Sequence, residues 1–229
     1  TTILSGTASA EEIRAAQFGA AKARFLAGDS SAADALQAFA ANSPGDSHEA
    51  EAWFLLGQAQ MNAGDFADAI EAYRRYQKLR GDLLAPYINQ RIGDALRADK
   101  KPEAAAEAYR SALTNAPPAL AFDLREKLAG ALLDTGDTTG ALAQYDTLLA
   151  VSKYLSYRMR IQTLAVQALD AAGQTKSAHQ RRQSIVDEYT ALATGQLACP
   201  SYSSYAYDAL VALVGDNVPV DEFKRGLVD

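Results

Sequence analysis

Five turn-like positions, Gly28, Gly64, Lys100, Gly136 and Gly173, stand 36, 36, 36 and 37 residues apart. They lie in related segments: AGDSSAADAL at 27–36, AGDFADAIEAY at 63–73, DKKPEAAAEAY at 99–109, TGDTTGALAQY at 135–145 and AGQTKSAHQRR at 172–182. Five residues past each turn stands an alanine: Ala33, Ala69, Ala105, Ala141 and Ala178. Seven before it stand Ala21, Gly57, Gly93, Ala129 and Val166, and nine after it Gln37, Tyr73, Tyr109, Tyr145 and Arg182. A unit this short cannot bury its own apolar face, so repetition at this period points to stacked supersecondary units.

Glycine inside a helix costs about 1 kcal/mol relative to alanine, so Gly57 and Gly93 need a compensating contact. Two antiparallel helices approach closely where both offer small side chains. The register therefore pairs Gly57 with Ala69 and Gly93 with Ala105 as hairpin crossing points. Tyr73, Tyr109 and Tyr145 are then expected to fill the gap toward the following hairpin.

Trp53, Leu56 and Gly57 fit W-x2-L-G, Ala69 with Tyr73 fits A-x3-F/Y, and Pro117 stands where a proline would end a second helix. In these residues the chain resembles the tetratricopeptide repeat, over roughly 14–192 and best at 50–83 and 86–119. The resemblance implies an all-α fold, a right-handed α-solenoid of helical hairpins with a C-terminal helical extension. Its period of 36 exceeds the family's usual ~34. The first and fifth units match the pattern least. The expected division is 1–193, five hairpins, and 194–229, a linker plus C-terminal helices that begin further repeats.

Local signals give helices at 11–27, 31–41, 47–63, 66–80, 86–98, 102–115, 119–135, 138–151, 153–172 and 175–193, then near 202–214 and 219–229. Pro44-Gly45 and Pro117-Pro118 break the chain between hairpins, and Pro102 suits a first helical turn. Asp46 with Glu49 reads as a capping box, and Asp29, Asp65 and Asp137 read as caps of second helices. Phe223, Gly226 and Leu227 resemble a first helix, so the chain is expected to end inside a repeat.

The 22 basic and 28 acidic residues give a formal charge of −6, without the cationic surplus that nucleic acid requires. No apolar run reaches the ~20 residues that span a bilayer. Cys199 is the single cysteine, which excludes an intramolecular disulfide and a multi-cysteine metal site. His48 and His179 belong to different units, and HEAEA at 48–52 has Ala52 where a zinc-protease helix needs histidine. His48 is read as a solvated first-turn residue. No phosphate-binding glycine loop or nucleophile elbow occurs, so no catalytic residue, metal or cofactor is expected. The start, TTILSGTASAEE, lacks an initiator Met and a signal segment, and suggests a piece of a longer protein.

The family places first helices along a concave groove. Carried over to the matching positions of this chain, that implies Phe18, Lys22 and Phe25, then Glu51, Phe54, Gln58 and Met61. It further implies Tyr87, Gln90, Asp94 and Arg97, then Asp123, Glu126 and Leu133, and last Arg160, Thr163, Gln167 and Asp170. Such a mixed surface suits a peptide or another protein. The family's carboxylate clamp is missing, because its asparagine position holds no Asn in any unit. The alternative is that this face packs on further domains of the same protein. Tyr154, Tyr157, Tyr202, Tyr205 and Tyr207 are candidates for stacking on sugar rings or for packing between helices. The stretch from Tyr207 to Asp229 resembles the helical-repeat region of bacterial soluble lytic transglycosylases, without their catalytic Glu. That resemblance implies an exported, cell-envelope parent acting on peptidoglycan. The two expectations for function are a non-catalytic interaction scaffold, cytoplasmic or exported, and the superhelical arm of such an enzyme.

Overall fold

A computed structural model of the chain describes residues 8–82, 84–194 and 204–214. Every regular element among them is an α-helix, and they fall into two compact units, Thr1–Pro117 and Pro118–Asp229. The first unit holds three hairpins: α1 (Ala10–Leu26) with α2 (Ala32–Asn42), α3 (Glu49–Ala63) with α4 (Phe66–Arg80), and α5 (Ala85–Ala98) with α6 (Pro102–Leu113). The second holds α7 (Pro118–Asp134) with α8 (Thr138–Val151), α9 (Leu155–Ala171) with α10 (Thr175–Thr194), and α11 (Ser204–Val214). Within each unit every helix packs on the next, and first helices also touch: α1 on α3, and α9 on α11.

These helix ends lie within two residues of those expected from the sequence. The linker residues 195–203 with Cys199 and Tyr202, the helix expected at 219–229, and Phe223, Gly226 and Leu227 lie outside the described residues.

The repeat register is written into the backbone. Gly28, Gly64, Gly136 and Gly173 have φ of 69°, 84° or 86°, all in the left-handed region, and Lys100 joins them at 61°. At each of these turns the chain leaves the first helix through a left-handed residue, which glycine adopts without the steric cost of a Cβ. Lys100 is the one non-glycine residue with positive φ among the described residues.

The tight approach expected at Gly57 exists, but its partner is different. A Cβ at Gly57 would meet Tyr73 ring carbons at 2.6, 2.8 and 2.9 Å, and one at Gly93 would meet the Tyr109 ring at 2.5 Å. The glycines thus make room for the tyrosine of their own hairpin rather than for Ala69 or Ala105, which are themselves fully buried. A flat ring laid on bare helix backbone recovers more contact than a methyl group would. The Tyr109 hydroxyl donates to Asp94 Oδ1 at 2.8 Å. At the equivalent place in the preceding hairpin stands Gln58, and the buried Tyr73 hydroxyl has no partner among the described residues. Burial pushes its pKa up to about 12.

The first hairpins close around Phe18, Leu36, Phe39, Leu55 and Leu56. In the second unit Met159, Val166, Ile185, Tyr189, Ala206 and Ala209 form one cluster that joins α9, α10 and α11. Pro102 opens α6 as expected. Asp137 caps α8, its carboxylate accepting from Gly140 N at 2.8 Å. Asp65 occupies the cap position of α4 without a side-chain bond, and Asp29 accepts from Ser31 N and Oγ ahead of α2. The capping box expected from Asp46 and Glu49 does not form. Asp46 Oδ1 accepts from His48 N, its Oδ2 accepts from Arg14 Nε of α1, and Glu49 turns back to Gly45 N. A capping box does occur at Ser9 and Glu12, ahead of α1.

Candidate protein-interaction surface

The residues expected to line a groove all lie on first helices, and the structure sorts them by what they touch. Phe18 is a correction. It is only 5% exposed, lies 5.3 Å from Phe39 and stacks on His48 at 4.7 Å, so it belongs to the core. His48 in turn is half-buried against that ring and close to Asp46, rather than simply solvated. Arg14 and the His48 amide hold the Asp46 carboxyl below its usual range, the backbone N–H being the largest contribution.

Lys22 remains on the face. It pairs with Glu51 of α3 at 2.6 Å and lies 5.8 Å over the Phe18 ring. Phe25 and Phe54 are half-buried against the same core, and Phe54 also tilts onto Tyr73 and Tyr76 at 6.1 and 5.6 Å. Gln58 and Met61 are half-buried. On α5, Tyr87 is 46% exposed, Gln90 is half-buried, Arg97 is exposed, and Asp94 accepts from Tyr109.

In the second unit the same helix positions converge more strongly. Glu126 of α7 accepts from the Tyr157 hydroxyl at 2.8 Å and from Arg160 of α9 at 2.6 Å, and Arg160 lies 5.1 Å over the Tyr157 ring. Burial first, and then the Glu126 carboxylate, push the Tyr157 pKa well up, and the same bond raises that of Arg160. Asp123 approaches Lys127 at 3.8 Å, Leu133 is half-buried, and the Thr163 hydroxyl donates to the Met159 carbonyl. Gln167 is exposed, and Asp170 pairs with Arg182 of α10. Two pairs of the expected face therefore meet directly, Lys22 with Glu51 and Glu126 with Arg160.

A second feature lies where α8 hands over to α9. Phe122, Val151, Ser152, Lys153, Tyr154, Ser156 and Tyr157 line a hollow of about 670 Å³. Phe122 meets the Tyr157 ring edge-on at 5.8 Å. Beneath it Arg158 donates to the carbonyls of Leu149 and Ser152 and pairs with Glu188 of α10, which also accepts from Gln162 at 2.6 Å. The sequence flagged Tyr154 and Tyr157 as candidates, but nothing in its pattern joins Phe122 or Val151 to them. Tyr205 and Tyr207 are half-buried against the α9–α10 core, the packing role considered for them.

Among the described residues no group of three or more His, Cys, Asp or Glu side chains is arranged to hold a metal ion, and no helix is long and apolar enough to cross a membrane. In each unit the first helices thus present paired charges, amides and aromatic edges.

None of the curated proteins matches the chain. Among solved structures, a crystal structure of MamA protein superposes with a TM-score of 0.62 at 19% identity, over 82% of this chain and 98% of that one. The MamA RS-1 ArsTM double mutant gives a TM-score of 0.60 at 14% identity, over 79% of this chain and 96% of that one. Nearly identical TPR-like repeats of a putative kinesin light chain from Podosopora anserina give 0.58 at 14%, over 82% and 100%. At such identities the likeness speaks for the fold. The tetratricopeptide-repeat family model matches residues 30–83 and 91–154, just over half of the chain. With left-handed turns every 36 or 37 residues and a hairpin built around each, this chain belongs to the tetratricopeptide-repeat family.

Proposed function

We propose that the chain is a non-catalytic scaffold whose first-helix face binds an extended segment of a partner protein. The observation that carries this is the recurrence of half-exposed side chains at one register of successive first helices. Glu51, Phe54 and Gln58 on α3 recur as Tyr87, Gln90 and Asp94 on α5, and Asp123 and Glu126 on α7 recur as Arg160 and Thr163 on α9. Helix packing has already taken the core residues, so this row is what each unit leaves for a ligand. Its amides and charges can pair with a peptide backbone while Phe54 and Tyr87 supply apolar area. The acidic residues near it are accounted for by ion pairs and hydrogen bonds to neighbouring helices, as Glu126 and Asp94 show.

Selection of a displayed peptide library on the full chain, followed by fluorescence anisotropy of the enriched peptides, tests the reading. Gln58→Ala with Tyr87→Ala should weaken the selected peptides by about tenfold or more, as loss of central interface contacts does. Exposed Glu71→Ala on α4 should leave them unchanged. Equal affinity in all three proteins would show that the face is not the binding surface.

A further inference from the structure

From the hollow at the α8–α9 corner we infer a second docking site, which takes a short partner segment bearing apolar side chains beside acidic ones. It lies at the N-terminal ends of α7 and α9, next to the Glu126–Arg160 pair of the first-helix face, and does not depend on that reading.

Four observations carry it. The walls are built and held. Tyr157 is fixed by Glu126 on its hydroxyl and by Arg160 over its ring, and Phe122 leans edge-on against it. Arg158 fastens the corner backbone through the carbonyls of Leu149 and Ser152. A site whose walls are already ordered loses little entropy on binding.

The rim, by contrast, is left unused by the fold. Tyr154 is 79% exposed and Val151 57%, adjoining apolar groups that no neighbouring element covers among the described residues. An exposed tyrosine beside an apolar pocket is a residue type on which binding energy concentrates.

Among the described residues Lys153 is the one charged side chain in the lining, and the nearest carboxylates, Asp123 and Glu126, already have Lys127 and Arg160 beside them. Lys153 is exposed at the rim and forms no ion pair among the described residues, while Arg158 and Arg160 nearby are already neutralised by Glu188 and Glu126. An occupant that brings a carboxylate beside its apolar anchor completes this cation, and one that brings an ammonium group is repelled.

Size selects the class of occupant. At about 670 Å³ the hollow falls within the ~300–1,000 Å³ of ordinary ligand pockets, room for a pair of apolar side chains. Its seven lining residues are far fewer than the ~20–30 per side of a stable chain–chain interface, which favours a short segment over a second copy of this chain.

The test uses the full chain and a fluorescein-labelled peptide with two leucines one helical turn apart, flanked by glutamates. Control peptides carry lysines for the glutamates or serines for the leucines. Saturable binding of the acidic apolar peptide alone is expected. It should weaken by about tenfold or more in Tyr154→Ala and again in Val151→Ser. Lys153→Glu should lose the acidic peptide and gain the lysine-bearing one. All three positions are exposed, and circular dichroism melts at the wild-type temperature would confirm intact folds. Gln58→Ala with Tyr87→Ala should leave this binding unchanged, which separates the hollow from the first-helix face. Absence of binding, equal binding of acidic and basic peptides, or affinity indifferent to Tyr154→Ala and Lys153→Glu would each overturn the inference. So would self-association lost in Tyr154→Ala without peptide binding, or binding of a chitin oligosaccharide in place of the peptide.

Discussion

At the scale of single residues, two choices fix the second and third hairpins: a left-handed turn and a glycine bare enough for a tyrosine ring. Gly93→Ala puts a Cβ 2.5 Å from Tyr109, closer than carbon atoms tolerate, and the ring is anchored at its far end by Asp94. The variant should lose about 1–3 kcal/mol of stability in denaturant melts, as overpacked cores do. In Tyr109→Leu the same glycine substitution should cost measurably less, which identifies the ring as the obstacle. Lys100 gives the opposite case. At φ 61° it bears the strain of a Cβ in the left-handed region, and its side chain is exposed. Lys100→Gly should therefore stabilise the chain by about 1 kcal/mol, a rise of a few degrees in Tm. A neutral result would show that the lysine recovers this cost elsewhere.

At the scale of elements, the sequence located nearly every helix because its prolines and turn glycines act locally, whatever the rest of the chain does. It failed where a distant group competes for a side chain. Asp46 and Glu49 have the spacing of a capping box, but Arg14 from α1 draws the Asp46 carboxylate away. The family's groove positions carry Phe18 onto the exposed face, and only the arrival of Phe39 and His48 buries it. The corner hollow was illegible for the same reason, since Phe122 and Tyr157 meet only in space. The Asp46 contact has a measurable consequence at low pH. Its folded pKa lies below the usual 3.8, as do those of Glu12 and Asp29 below theirs, each chiefly because a backbone N–H points at the carboxylate. A carboxylate lowered in the folded state contributes stability that is fully present above its unfolded pKa and lost as pH falls through the folded one. The Tm difference between wild type and Asp46→Asn should thus be constant above about pH 5 and shrink toward zero below about pH 3. A gap that persists in acid would assign the effect to packing.

At the scale of the whole molecule, the repeat explains why no single site dominates. Successive hairpins pack second helix on following first helix, α2 on α3, α4 on α5 and α8 on α9, and half-exposed side chains remain on the first helices. On the proposed function, interaction surface accumulates along the chain hairpin by hairpin. The repeat was legible in the spacing of five turns, and the family in its resemblance at Trp53, Leu56, Gly57, Ala69 and Tyr73. The identity of the partner was not, because half-exposed amides and ion pairs such as Lys22 with Glu51 suit many segments equally well. The most direct measurement is hydrogen–deuterium exchange of the full chain, with and without a peptide selected on it, resolved helix by helix. Exchange should slow in the first helices, α3 and α5 or α7 and α9, while their partners α4, α6, α8 and α10 stay unchanged. Protection confined to those second helices would contradict the scaffold as described.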